Sequence, residues 1–109
     1  MTTAWAAGLF EGEGCVSIQK VKHRHGKQVY QYPRLALVMT DLDVVEAFMA
    51  VVGCGSIYPR QPKGHLGHKK QYVWVCSRQV DSRRVLARLL PYLFGRRSAR
   101  AREVLAACA

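Results

Sequence analysis

The spacing of apolar residues predicts a chain in which helices alternate with pairs of strands. Trp5 and Leu9 lie four residues apart after two capping candidates, Thr2 and Thr3, as on one face of a short helix. Past Gly14 the apolar positions recur at every second residue, which is the period of a strand. The expected elements are a helix over residues 3–12, strands over 15–22 and 28–40, a helix over 43–52, strands over 56–60 and 71–77, and helical segments over 86–93 and 99–107.

Residues that begin or end regular structure support this division. Asp43, with Glu46 three residues on, resembles a capping box at the start of the second helix, and Gly53 is placed to end it. Pro33 weakens the middle of the second strand and predicts an edge position or a bulge. Pro91 and Gly95 interrupt the leucine period of the C-terminal helices.

The order of elements predicts an α+β fold with one antiparallel four-stranded sheet. Paired strands alternating with helices pack their helices on one face of the sheet, so the other face must meet solvent or a ligand. A chain of 109 residues fits one compact domain, and we expect a single domain over residues 1–109.

Charge narrows the partners that such a surface can take. The chain has 17 Lys and Arg against 7 Asp and Glu, a formal net charge of +10. This excess favours a phosphate backbone or an anionic membrane as partner. No apolar run reaches the ~20 residues needed to cross a bilayer, and the N-terminus lacks a secretory signal pattern. We therefore expect an intracellular protein that does not act at a membrane, with its four distant cysteines reduced and mostly buried.

Residues 6–14 carry the most specific motif, a small-apolar-acidic pattern that reads AAGLFEGEG. This segment resembles the LAGLIDADG motif of homing endonucleases, with Glu at both acidic positions. Weaker agreements follow in GCGSI at 53–57 and LLPYL at 89–93. The resemblance implies an αββαββα fold with a curved antiparallel sheet. It also implies a sequence-specific double-stranded DNA endonuclease that acts as a homodimer, encoded in a mobile element such as an intron or intein.

The same resemblance implies an active site that uses Mg²⁺ or Mn²⁺ and no small-molecule cofactor. Glu13 takes the place of the family's metal-binding acid, and Asp41 follows the second strand where a polar catalytic residue is often found. Arg96 or Arg97 stands where the family has a lysine; Arg can neutralise a phosphate but does not act as a general base. Taken alone, the two acids of the motif also fit a helix stop with solvated side chains.

Small residues in the motif predict how two copies of the first helix would meet. A close approach of two backbones requires small side chains at the contact, and the candidates are Ala7, Gly8 and Gly12.

Strand alternation identifies side chains that could contact DNA. If Glu13 points toward DNA, the positions in phase with it on the first strand include Gln19, while Val16 and Ile18 point to the core. A two-stranded ribbon fits the major groove, where Arg pairs with guanine and Gln with adenine. The predicted DNA-contacting residues are Gln19, His23, Arg34, Tyr58, Arg60, Gln71 and Arg97.

Two other functions remain compatible with the sequence. The first is a DNA- or RNA-binding protein on the same scaffold that does not cleave, either a degenerate nuclease or an intron maturase. The second is a basic protein-interaction module without a nucleic-acid role, for which binding to nucleic acid would be weak and insensitive to salt.

Overall fold

The computed structural model describes residues 1–22, 29–61 and 69–108. The chain forms α1 (Thr3–Glu13), β1 (Gly14–Lys22), β2 (Val29–Met39), α2 (Leu42–Val52), β3 (Ser56–Arg60), β4 (Gln71–Cys76), α3 (Gln79–Leu89), a 3₁₀ turn (Leu90–Tyr92) and α4 (Gly95–Ala107). The four strands build one antiparallel sheet in the order β1-β2-β4-β3. This confirms the predicted α+β class and its order of elements. None of the helices in the described part of the chain is long and apolar enough to span a bilayer.

The ends of α1 and α2 show which of the predicted capping residues begin and end these helices. Thr2 caps α1, since its hydroxyl accepts a hydrogen bond of 3.1 Å from the backbone N–H of Trp5. Gly53 ends α2 in the left-handed conformation at φ +80°, as predicted. The expected capping box at Asp43 is wrong: α2 begins one residue earlier, at Leu42, and Asp43 lies in the first turn. The Asp43 carboxylate accepts a hydrogen bond from the adjacent Val44 N–H at 3.0 Å.

The C-terminal helices begin earlier than the leucine period indicates. α3 starts at Gln79, and its first turn includes Val80, which is 74% exposed. A helical turn that faces solvent has no apolar period to reveal it.

Pro33 lies in a strand with neighbours on both sides but pairs only with β1. It stands opposite Ile18 of β1, whereas β4 pairs with β2 only from Leu35 to Met39. The missing N–H of proline therefore falls on the part of β2 that β4 does not reach, which is locally an edge position.

The core lies between one face of the sheet and the helices. Phe48 of α2 is at its centre, with the Phe10 ring centroid at 6.3 Å in a near-parallel arrangement and the Trp74 ring at 4.8 Å edge-on. All three side chains are fully buried, and the Trp74 indole N–H donates to the Cys54 carbonyl at 2.9 Å. Burying an aromatic side chain contributes roughly 1.5–3 kcal/mol. The sheet is therefore held to α1 and α2 through three aromatic rings.

The four cysteines form no disulfide and differ in how deeply they are buried. Cys15 is exposed, Cys54 is half-buried, and Cys76 and Cys108 are buried. The sulfur atoms of Cys54 and Cys76 lie 3.8 Å apart. Burial, with a smaller effect of the Cys54 thiol, raises the pKa of Cys76 to about 12.

Candidate functional site

The strand register divides the sheet into a core face and a face that we call the open face. Directly opposed residues of antiparallel strands point to the same side, and Gln19 opposes Tyr32 while Ser17 opposes Arg34. The same phase continues across the sheet through Ala36 opposite Val75, Val38 and Tyr58 opposite Val73, and Arg60 opposite Gln71. The open face therefore carries Tyr32 and five of the residues predicted to contact DNA, which are Gln19, Arg34, Tyr58, Arg60 and Gln71.

The helices do not pack on the open face. The apolar cluster that joins the helices to the sheet takes its strand residues from the opposite phase, among them Val16, Leu35 and Trp74. At its centre the open face carries small and branched apolar residues, and Ala36 and Val73 are buried there among their neighbours. Polar and aromatic side chains surround this apolar centre, which the sequence reasoning did not anticipate.

Two of the predicted DNA contacts are paired with each other. The Arg60 guanidinium donates from Nε and Nη2 to Gln71 Oε1 at 3.1 and 2.8 Å. Both side chains lie at the end of the β3–β4 ladder. His23, also predicted to contact DNA, lies outside the described residues.

Glu13 is the last residue of α1 and precedes β1 directly. Its side chain is exposed, and it has no hydrogen bond or ion pair with any described residue. The next residue, Gly14, donates its N–H to the Phe10 carbonyl, and a Cβ at this position would lie 2.4 Å from the Phe10 ring. Gly14, the last glycine of the motif, is thus required by close packing, and the chain passes from helix to strand at this residue, immediately after the Glu13 carboxylate.

A cleft of about 670 Å³ opens beside this junction, between β1 and the start of α4. Arg96 is exposed in the cleft and has no partner in the described part of the chain. Arg100 also lines the cleft but pairs with Glu103 at 2.9 Å. The remaining lining residues are Glu11, Gly14, Cys15, Val16, Phe94, Gly95 and Arg97. The cleft is therefore basic, with Arg96 as the cation that can turn to a ligand.

Arg97 and Glu11 connect α4 to the motif helix. The Arg97 guanidinium donates to the Gly14 carbonyl and lies 5.9 Å from the centroid of the Phe10 ring. Glu11 accepts a hydrogen bond of 3.4 Å from the backbone N–H of Phe94, the residue before α4. Glu11 thus joins the last turn of α1 to the residue that precedes α4. Arg97 thus contacts the backbone of its own chain. No sequence pattern signals this contact, because Arg97 and Gly14 are 83 positions apart.

Asp41 is exposed at the residue before α2, makes no side-chain cap, and is not among the residues that line the cleft. The Glu13 side chain does not line the cleft either, but Glu13 is joined directly to the lining residue Gly14. Of the three predicted catalytic residues, Arg96 therefore lines the cleft and Glu13 is adjacent in sequence to a residue that does.

One of the three residues predicted at a helix–helix interface is misplaced. Ala7 is fully buried in the core of its own chain, because α1 packs on the sheet through Ala6, Ala7 and Phe10. Gly8 and Gly12 are exposed, and a Cβ at either would meet nothing within 4 Å. With Ala4, also exposed, they form a stripe of small residues at four-residue spacing.

A single chain offers few metal ligands. Among residues 1–22, 29–61 and 69–108 there is no group of three or more His, Cys, Asp or Glu side chains that could hold an ion. Glu13 has the oxygen chemistry that a hard divalent cation prefers, and its carboxylate has no partner among the described residues. One carboxylate alone does not make a site, so phosphate, water or another chain would have to complete the coordination of an ion there.

Comparison with known proteins identifies the fold. A family model described as LAGLIDADG endonuclease matches residues 6–93. The chain belongs to the LAGLIDADG endonuclease family. The match begins within α1 and ends at Leu93, two residues before α4. It therefore includes Glu13 and all four strands of the described sheet. No curated protein matches the sequence at a significant level.

Solved structures of two homing endonucleases and a meganuclease share the fold at low sequence identity. The chain is similar to the homing endonuclease I-CvuI, solved with the I-CreI target in 2 mM Mg with the DNA not cleaved, at 22% identity and a TM-score of 0.73 over 95% of this chain. It is also similar to the homing endonuclease I-TnaI, at 18% identity and TM-score 0.75, with 95% of this chain and 69% of that chain covered. The meganuclease I-SmaMI, bound to uncleavable DNA, matches at 14% identity and TM-score 0.78, over 97% of this chain and 36% of that chain. The chain spans 63% of the length of I-CvuI.

Proposed function

We propose that this LAGLIDADG protein is a sequence-specific, divalent-metal-dependent double-stranded DNA endonuclease that acts as a homodimer. The observation that carries the proposal is the open face, where Gln19, Arg34, Arg60 and Gln71 share one side of the sheet. Glu13 immediately precedes the first strand of that sheet. A carboxylate at the edge of a surface suited to DNA would supply one oxygen ligand to the ion that metal-assisted hydrolysis of a phosphodiester uses.

DNA binding is supported by both charge and side-chain chemistry. The net charge of +10 attracts a polyanion over a long range. On the open face, Arg and Gln can read base edges in the major groove, and Tyr32 and Tyr58 add apolar contact area. The homing endonuclease I-CvuI and the LAGLIDADG homing endonuclease I-GzeII were both solved with DNA targets.

Glu13 is the residue that would hold Mg²⁺ or Mn²⁺, through a carboxylate that has no partner among residues 1–22, 29–61 and 69–108. A bound ion of this type activates water and stabilises the leaving oxygen. Arg96 is exposed in the neighbouring cleft and can neutralise charge on the phosphate, but a guanidinium stays protonated and does not accept the proton of the attacking water.

A second copy of the chain would complete the site. Each chain contributes one such carboxylate, whereas cutting both strands of a duplex needs a reaction centre for each. The exposed stripe of Ala4, Gly8 and Gly12 allows two α1 helices to approach closely, and in the described part of the chain a Cβ added at Gly8 or Gly12 would meet nothing within 4 Å.

Selection of bound duplexes from a random library, followed by incubation with Mg²⁺ or Mn²⁺, tests the function. We expect one long, partly palindromic target, cleavage that requires the metal, and binding that weakens steeply with salt. Each phosphate neutralised contributes about −0.9 to the slope of log K against log salt. Binding that does not respond to salt would remove the DNA-binding proposal altogether.

A non-cleaving nucleic-acid binder on the same scaffold is the second candidate. It is favoured by Arg at the position of the family's lysine and by the observation that Asp41 is not among the residues that line the basic cleft. Specific binding without nicking at any metal concentration would establish it.

A further inference from the structure

The start of α4 holds the end of α1 by two contacts that face in opposite directions. Arg97 donates from α4 to the Gly14 carbonyl, while Glu11 of α1 accepts from the Phe94 N–H. Glu13 lies in sequence between the two contact points on the α1 side.

These contacts fix the backbone on either side of the exposed Glu13 to the packed core. Phe10 is fully buried, Gly14 packs against its ring, and the half-buried Arg97 guanidinium lies near the same ring. The last carbonyls of a helix have no partner within it, and a cation placed there is favoured by the helix dipole. Without Arg97 the helix-to-strand junction has one fewer tether, and the Glu13 backbone gains freedom.

Arg97 also links the backbone segments that carry the two charged residues of the candidate site, Arg96 and Glu13. Arg96 is its neighbour in the first turn of α4, and Glu13 is the neighbour of its hydrogen-bond acceptor Gly14. One contact therefore constrains the backbone positions of a cation and a carboxylate that come from opposite ends of the chain.

We infer that Arg97 is a positioning residue that sets Glu13 and Arg96 in the geometry needed for metal binding and phosphate hydrolysis. The inference rests on the proposed function. The sequence predicted Arg97 as a DNA contact, and the two roles differ in the expected effect of substituting Arg97. Losing a phosphate contact lowers affinity and the salt slope by about one unit. Losing a positioning contact lowers the rate and raises the metal requirement while binding is kept.

The test compares Arg97→Gln and Arg97→Lys with a matched control, Arg102→Gln. Arg102 is exposed on α4, does not line the cleft, and its side chain has no hydrogen bond or ion pair with another described residue. Single-turnover cleavage of the library-selected duplex is followed as Mg²⁺ is varied, and metal-free binding is measured at several salt concentrations. We expect Arg97→Gln to lower the rate constant about tenfold and raise the half-saturating Mg²⁺ concentration by a similar factor, the scale of one charge-assisted hydrogen bond. Its metal-free affinity should match that of Arg102→Gln.

Arg97→Lys should recover part of the loss. An ammonium group can donate to the Gly14 carbonyl but has no planar group to place beside Phe10. If Arg97→Gln unfolds in a thermal melt, Arg97→Lys takes its place in every comparison.

Hydrogen exchange of the DNA-free protein gives a readout that does not need cleavage. Amides of residues 12–16 should exchange about tenfold faster in Arg97→Gln and at the wild-type rate in Arg102→Gln, because local opening follows the lost contact. If the wild-type protein binds but never cuts, the proposed function fails, and selective acceleration at the junction still supports the positioning role. Unchanged exchange there, or a loss of affinity and salt slope with wild-type rate and metal requirement, overturns the inference.

Discussion

Arg60 and Gln71 face each other across the β3–β4 ladder, and two guanidinium nitrogens share the single amide oxygen of Gln71. That oxygen is occupied, so Gln71 presents its NH₂ group outward while Arg60 keeps its Nη1 donors. A free glutamine offers adenine both a donor and an acceptor. The pair as it stands offers donors, which suit the acceptors N7 and O6 of guanine.

Arg60 and Gln71 should therefore act as one unit in DNA recognition. We expect Arg60→Ala and Gln71→Ala each to weaken binding to the selected duplex, and the double variant to lose less than the sum, with a coupling energy of about 1 kcal/mol. Arg60→Ala should also shift preference at one base pair from guanine toward adenine. Binding to duplexes altered at single base pairs measures both effects, and strictly additive losses would show that the two side chains act separately.

Replacing Glu13 with Gln should abolish cleavage and leave metal-free DNA binding intact or slightly tighter. The substitution preserves shape while removing the charge that attracts Mg²⁺, and one anion beside the phosphates is lost. Glu11→Gln is the matched control, since its amide oxygen can still accept from the Phe94 N–H. Its effect on cleavage should be mild. Wild-type cleavage by Glu13→Gln would place the metal site elsewhere.

Bulky substitutions at the exposed Gly8 and Gly12 should weaken dimer formation without unfolding the single chain. Neither position has a neighbour within 4 Å of an added Cβ, so Gly8→Ala should stabilise the isolated helix by ~0.5–1 kcal/mol. Gly8→Leu should instead keep two helices apart and shift the protein to monomers in sedimentation experiments. Ala87→Leu, which adds bulk at an exposed position of α3, serves as control. A Gly8→Leu protein that associates as tightly as wild type would refute assembly through this helix.

Arg88 should contribute measurably to stability although it lies at the surface. It donates to the Thr3 hydroxyl at 2.6 and 3.0 Å and to the Val51 carbonyl at 2.8 Å, so it ties α3 to the start of α1 and the end of α2. We expect Arg88→Ala to lower the free energy of unfolding by about 1–2 kcal/mol. Arg84→Ala, which breaks only an exposed pair with Asp81, should cost less than about 0.5 kcal/mol. Urea denaturation compares the two, and equal losses would contradict this role.

Cys76 should resist modification and make stability depend on pH above neutrality. Its pKa rises from 9.0 to about 12 in the folded protein, so folding favours the protonated thiol. The associated stability is fully present below pH 9 and is lost as the pH rises from about 9 toward 12. With iodoacetamide at pH 9, mass spectrometry should find the exposed Cys15 alkylated and Cys76 intact, whereas all four cysteines react in denaturant. Equal labelling of Cys15 and Cys76 in the native protein would contradict the burial described here.

Sequence alone predicted the fold class and the phase of each strand. Because side chains alternate strictly along a strand, a pattern such as Val16, Ser17 and Ile18 identifies which residues face the core once the neighbouring apolar residues are known. The same locality explains why Gly53 could be predicted to end α2. The motif at residues 6–14 also indicated the family, and the metal-binding role of Glu13 is a prediction from that resemblance.

Only the tertiary structure decided which of these residues meet. The strand order β1-β2-β4-β3 places Arg34 on the same surface as Tyr58, and no local pattern specifies pairing between distant strands. A helix of small residues carries no strong period either, so the sequence did not reveal that Ala7 faces the core while Gly8 faces solvent. Arg97 shows the same limit. Its charge predicted a phosphate contact, but α4 packs its first turn against the motif, and the nearest acceptor there is the carbonyl of Gly14.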